Sequence, residues 1–151
     1  MIYPDIRSLV PHAGIMVLLD RVISVDAESL CAEVMITSHS LFYEVTGDKE
    51  GVGAWVGIEY MAQAIAAYAG YHALRQGEKV SIGFLVGTRN YQCNKAFFEK
   101  GCILKIHIRC ILQADNGISV FECTISDADT EIASATLNTF LPDGLDSSFQ
   151  K

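Results

Sequence analysis

The stretch that most limits what this chain can become is WVGIEYMAQAIAAYAGYHAL, residues 55–74. It is alanine-rich and apolar nearly all the way round, and a helix of that kind is normally enclosed on every side. Its length approaches the roughly 20 residues that a bilayer requires. However, Glu59, Gln63 and His72 interrupt it, and LRQGEK closes it as an ordinary helix end would. The reading is a buried helix over about residues 54–75, with Gly77 as its stop. Ala62, Ala66, Ala69, Gly70 and Ala73 would let another backbone approach closely, as a helix wrapped by a sheet requires.

The flanking sequence reads as strand. Residues 15–26 and 29–37 form two apolar or alternating runs with a turn at Ala27-Glu28, and the polar, glycine-rich residues 38–53 read as a loop. After the helix come strands at 80–94, 102–113, 118–129 and 131–142, with FFEKG and ADNG as turns and a frayed tail. The last four strands have no helices between them, so the sheet is expected to be antiparallel with the helix on one face, an α+β architecture. At 151 residues a single domain over 1–151 is the natural count. A one-sided sheet leaves the far side of an all-apolar helix uncovered, which predicts an obligate oligomer.

The formal charge of −7 argues against nucleic acid or an anionic membrane surface as the main partner. Cys31, Cys93, Cys102, Cys110 and Cys123 are odd in number and contain no C-x-x-C pair, which suits buried free thiols in a reducing compartment. The start MIYPDIRSLVPHAG has an early Asp and two prolines where a signal peptide would be apolar, so the expected location is cytoplasmic.

Glu59 is the residue that demands an explanation. It sits among Trp55, Val56, Ile58, Met61 and Ala62, and a buried carboxylate costs several kcal/mol unless hydrogen-bonded or neutral. Burial raises such a group's pKa and a nearby helix N-terminus lowers it, an opposed tuning suited to general acid/base work. Gln63, four residues on, shares its face and is placed to orient it or a ligand. His12 precedes the first strand and His39 lies in the polar loop; either is open to a surface role or a site role. His72 reads as a residue of the exposed helix end, and His107 as one of the polar face of its strand with Lys105 and Arg109.

A zinc site from Cys102, His107 and Cys110 fails on strand parity, which puts the histidine on the opposite face. Gly51, Gly53 and Gly57 miss the G-x-G-x-x-G spacing and no βαβ pattern follows, so no nucleotide loop is expected. The backbone N–H groups at that helix start are nonetheless placed to polarise a carbonyl oxygen. Gly53 and Trp55 therefore join Gln63 as expected substrate contacts.

Taken in order, PHAGIMVLLDRV, GIEYMAQAIAAYAG and GFLVGTRNYQCNKAFFEKG resemble the 3-hydroxyacyl-(acyl-carrier-protein) dehydratases of the FabZ type. They are closer still to the divergent ApeP-like relatives of aryl polyene gene clusters. The likeness runs over most of residues 9–142 and is sharpest at the E-x-M-A-Q helix start, Glu59 to Gln63. It implies a hot-dog fold, a curled antiparallel sheet around one long central helix, with dimers or trimers of dimers and active sites at the dimer interface. It implies a 3-hydroxyacyl thioester substrate carried on the phosphopantetheine of an acyl carrier protein, with no other cofactor and no metal.

In that mechanism a histidine removes the C2 proton while the helix acid, matched here by Glu59, protonates the leaving C3 hydroxyl. The family histidine stands about fourteen residues before the acid, near Val45 here, and EVTGDKEGVG contains none. Three readings stay open: His12 supplies the base, His39 does, or the chain is a non-catalytic partner in a heterodimer with a complete dehydratase. Thioester hydrolysis, with the carboxylate activating water, is the alternative chemistry on the same fold. Docking of an acidic carrier protein falls to Arg89 and Lys95, with Lys100, Lys105 and Arg109 nearby on the matching segment and next strand.

Overall fold

The computed structural model describes residues 3–10, 16–78 and 84–140. The chain enters through a short helix, α1 (Ile6–Leu9), capped by Asp5, whose side chain accepts from the Arg7 N–H. Strands β1 (Arg21–Val25) and β2 (Ser29–Met35) follow. Between them Asp26 caps the turn, its carboxylate accepting from the Glu28 and Ser29 N–H groups. Those hydrogen bonds hold its pKa below the ordinary carboxylate value.

The region expected to be a loop contains a hairpin, β3 (Tyr43–Thr46) and β4 (Lys49–Gly53). A 3-10 turn (Ala54–Val56) then leads into the central helix α2 (Gly57–Arg75). The remaining strands are β5 (Phe84–Cys93), β6 (Phe97–Glu99), β7 (Ile103–Gln113), β8 (Ile118–Asp127) and β9 (Thr130–Phe140).

Among the described residues the six strands read from the sequence form one antiparallel sheet in the order β1-β2-β7-β8-β9-β5. A second sheet, β3-β4-β6, corrects two expectations: the polar loop is mostly paired, and FFEKG contributes a strand before it turns at Lys100-Gly101. The alternation on β7 emerges as read, with Leu104, Ile106 and Ile108 fully buried and Lys105, His107 and Arg109 exposed. The buried face of the six-stranded sheet carries α2, whose Tyr60, Met61, Ala64, Ile65 and Ala67 enter one core with it.

The helix ends as expected at Gly77, which adopts φ +74°. The Glu78 N–H reaches Ala73 O and the Gly77 N–H reaches Leu74 O, a Schellman closure. At Gly70 the close approach anticipated for the small residues is made by α1. A Cβ on Gly70 would lie 1.9 Å from the Leu9 carbonyl oxygen. His72 is also more than an exposed end residue. Its Nε2 donates to Asp26 O at 2.9 Å, and the Tyr68 hydroxyl donates to Ala27 O at 2.6 Å, so α2 holds the β1–β2 turn from below.

The cysteines are free, but only Cys123 is fully buried; Cys31, Cys93, Cys102 and Cys110 are partly exposed. Among the described residues no helix is long and apolar enough to cross a membrane.

Candidate active site

Glu59 occupies the third position of α2, one turn closer to the α-helical N-terminus than a helix starting at residue 54 would put it. It is half-buried, the only acidic residue of the first turn, and therefore feels the positive end of the helix dipole. Gln63 lies one turn further on, completely buried. Its Oε1 accepts the Leu18 N–H at 2.8 Å and its Nε2 donates to Met16 O at 2.6 Å, which fixes the amide orientation, since an N–H must meet the oxygen and a carbonyl the nitrogen. The same nitrogen stands 3.4 Å from Glu59 Oε1. Both ends of the Gln63 amide are thus taken up by the chain itself. Its place in the site is to seat residues 16–18 against the helix beside the carboxylate.

His12 lies outside the described residues. The segments on either side of it are both anchored on α2: Leu9 packs its carbonyl against Gly70, and Met16 is held by Gln63. His39 is exposed in the turn after β2, where its N–H donates to Thr37 Oγ1. It lines a groove of about 1010 Å³ together with Arg7, Phe42, Tyr43 and Tyr60. Val17 and Leu18 line that groove too, whereas Glu59 is not among its described lining residues, so this groove does not bring His39 and Glu59 together.

At the helix entrance Gly53 is buried and Trp55 is 63 % exposed. A Cβ on Gly53 would sit 2.5 Å from the indole nitrogen, so the glycine gives the Trp55 ring its seat. The ring then meets Phe42 edge-on at 5.1 Å, and Phe42 itself holds φ +70°, a rare backbone state for a bulky residue. The glycines of GVG are thus accounted for by close packing, including Gly51, where a Cβ would lie 2.1 Å from Phe98 O. The Ala54 N–H at this entrance donates to Ala96 O at 2.9 Å and is not offered to a ligand.

Tyr91 was not singled out by motif or pattern. Its hydroxyl donates to Ala54 O, and its ring is brought inward by a bulge between Arg89 and Gln92. Burial pushes its pKa well above the ordinary phenol value, so it stays a donor. The only sequence signal is Asn90, a residue that tolerates the left-handed conformation it adopts at φ +56°. Arg89 and Lys95, just before and after, are exposed. Lys100 pairs with Glu50 at 3.5 Å and Arg109 with Glu122 at 2.9 Å. Among the described residues no cluster of three His, Cys, Asp or Glu side chains is arranged to hold a metal.

Comparison with known proteins bears directly on this geometry. No curated protein sequence matched the chain. Among solved structures, the dehydratase heterocomplex ApeI:P from Xenorhabdus doucetiae contains a chain that is 31% identical, with 99% of each chain covered and a TM-score of 0.84. A hypothetical thioesterase with coenzyme A from Streptococcus pneumoniae TIGR4 is 13% identical over 80% of this chain and 84% of its own, at a TM-score of 0.60. Cj0977, a sigma28-regulated virulence protein of Campylobacter jejuni, is 11% identical over 91% and 88%, at 0.63. The latter two share the fold alone. The curled antiparallel sheet wrapped on α2 is the hot-dog fold. The family model described as ApeP-like, ApeP dehydratase, matches residues 4–150, and the chain belongs to that family.

Proposed function

We propose that this chain takes part in the dehydration of 3-hydroxyacyl thioesters in aryl polyene-type biosynthesis, as one subunit of a hot-dog assembly, with Glu59 as the acid. The observation that carries the reading is Glu59 itself. It is a half-buried carboxylate in the first turn of the central helix, beside a buried amide that fixes the neighbouring chain. In the reaction a base takes the C2 proton, the C2=C3 bond forms, and the C3–O bond breaks as Glu59 gives its proton to the departing hydroxyl. Glu59 leaves the step as carboxylate, and the departing hydroxyl leaves as water.

His12 is the proposed base. Its support is the anchoring of both flanking segments to the helix that carries Glu59. A specific observation also favours a second reading. Val45, where the family histidine is expected, is 64 % exposed on β3. In that reading the chain is a structural subunit in a heterodimer with a complete hot-dog dehydratase, a reading supported by its similarity to a chain of the dehydratase heterocomplex ApeI:P.

The thioester is proposed to arrive on the phosphopantetheine of an acyl carrier protein, docked at Arg89 and Lys95. The test is incubation of the chain, alone and with a second hot-dog dehydratase subunit, with a 3-hydroxyacyl carrier-protein substrate. An enoyl product lost in Glu59→Gln and in His12→Ala supports the first reading. An enoyl product that needs the second subunit and survives both substitutions supports the structural one. Release of free thiol instead would assign the chain to thioester hydrolysis and overturn both.

A further inference from the structure

The helix that carries Glu59 is positioned from outside, by a residue of β5. The pairing of β5 with β9 runs Arg89 to Thr136 and Gln92 to Ser134, so three steps on one strand face two on the other. One inserted residue reverses the inward and outward sense of everything after it. Without the bulge, Tyr91 would share the outer face with Arg89. With it, Tyr91 turns inward alongside Cys93, both half-buried, while Gln92 goes out. Asn90 absorbs the irregularity at φ +56°.

Turned inward, the Tyr91 hydroxyl donates to Ala54 O, the carbonyl that also accepts the Gly57 N–H and so closes the 3-10 turn before α2. The other side of the same peptide is fixed too, since the Ala54 N–H donates to Ala96 O at 2.9 Å. Ala54 is therefore held at both polar groups by the β5–β6 region. Gly57, two residues before Glu59, is shaped to this contact: a Cβ there would lie 2.2 Å from the Tyr91 hydroxyl, 3.1 Å from Ile125 and 3.2 Å from Phe98.

We infer that Tyr91 is a positioning residue for Glu59: through Ala54 and Gly57 it sets where the first turn of α2 begins and so where the carboxylate points. The inference rests on the reading of Glu59 as the acid, but its structural half stands independently of it. Tyr91 touches no reacting atom; it acts on the start of the helix.

Trp55 is the only tryptophan and adjoins Ala54, so it reports on this turn without labelling. Tyr91→Phe keeps the ring and deletes the hydroxyl. In the assembled protein the amides of Gly57, Ile58 and Glu59 should exchange about tenfold faster than in the parent while the later turns of α2 keep their rates. Trp55 anisotropy should fall. If the assembly turns over substrate, kcat should drop about tenfold with KM within about twofold. Asn90→Gly, which keeps the left-handed residue, should behave as the parent, and Asn90→Val should reproduce Tyr91→Phe.

Unchanged exchange at residues 57–59 together with unchanged Trp55 anisotropy overturns the inference. So does a uniform loss of protection along the whole helix with kcat intact, which is the mark of a merely structural residue. Glu59→Gln separates the two claims: if turnover survives it, the assignment of the acid fails, while the exchange data still decide the role of Tyr91.

Discussion

Gln63 places its amide nitrogen 3.4 Å from the Glu59 carboxylate while donating with the same nitrogen to the Met16 carbonyl at 2.6 Å. One buried side chain thus couples the acid to the segment that follows His12. Gln63→Leu keeps the volume but strands the Leu18 N–H and the Met16 carbonyl. Leaving such groups unsatisfied costs about 1–3 kcal/mol each, so a loss of about 2–6 kcal/mol is expected in urea unfolding. Gln63→Glu should cost more, because it cannot donate to Met16 and sets a second carboxylate beside Glu59. Amide exchange at Leu18 should rise sharply in Gln63→Leu, whereas Gln63→Glu keeps an oxygen that accepts the Leu18 N–H and should leave it nearer the parent rate.

Gly57 and Tyr91 should be energetically coupled. Alanine is the better helix former by about 1 kcal/mol, yet a Cβ at Gly57 meets the Tyr91 hydroxyl at 2.2 Å. Overpacking of this kind costs roughly 1–3 kcal/mol, so Gly57→Ala alone should destabilise. On a Tyr91→Phe background the obstructing oxygen is gone, and the same change should cost at least about 1 kcal/mol less. A double-mutant cycle by chemical denaturation measures this directly, and strict additivity would show that the two residues do not meet.

Gly70→Ala offers the contrasting case. The obstacle there is the Leu9 main chain at 1.9 Å, which no rotamer change relieves. We expect α1 to be displaced from α2 with a loss of about 2–3 kcal/mol. Limited proteolysis should then cut within the first ten residues of the variant well before it cuts the parent.

The six strands of the large sheet and the helix were legible because burial there follows simple periods. β7 alternates without a break from Ile103 to Arg109, and the apolar run of α2, interrupted by Glu59, Gln63 and His72, reads as a buried helix. The small sheet was not legible. β3 and the first half of β4 are exposed on both faces and so carry no alternation, and β6 is only three residues long. These segments are strands because of what they pair with, a tertiary property that local pattern does not encode. The site divides in the same way. Glu59 and Gln63 stood out as polar residues in apolar surroundings. Tyr91 was hidden because its direction depends on a bulge, and strand parity read straight through Asn90 points it outward.

Alkaline pH should weaken the fold through Cys123. Burial against the core pushes this thiol from an ordinary value of 9.0 up to about 12, with the neighbouring Glu122 adding to the shift. A raised pKa in the folded state means the unfolded chain releases its proton first. The contribution is complete below pH 9 and falls away as pH climbs from 9 toward 12. The slope approaches about 1.4 kcal/mol per pH unit for one such group. Urea unfolding at pH 8, 9 and 10 should show the decline, and Cys123→Ala, although less stable at every pH, should show a shallower one.

Arg89 and Lys95 flank Tyr91 on the surface, and neither forms an ion pair among the described residues, whereas Lys100 and Arg109 are engaged with Glu50 and Glu122. A protein of net charge −7 repels an acidic carrier at long range, so any productive encounter has to be steered by a local cationic patch. Charges at the rim of an interface act mainly on the association rate and are screened by salt. The double reversal Arg89→Glu/Lys95→Glu should therefore slow association with an acyl carrier protein by about tenfold or more in low-salt buffer. Near 1 M salt, where screening reaches within about 3 Å, the difference should nearly vanish. Lys100→Glu, which removes a cation already paired with Glu50, should have a smaller effect on the rate. Stopped-flow measurement across a salt series tests all three expectations, and equal rates for parent and double variant at low salt would overturn the proposed docking at Arg89 and Lys95.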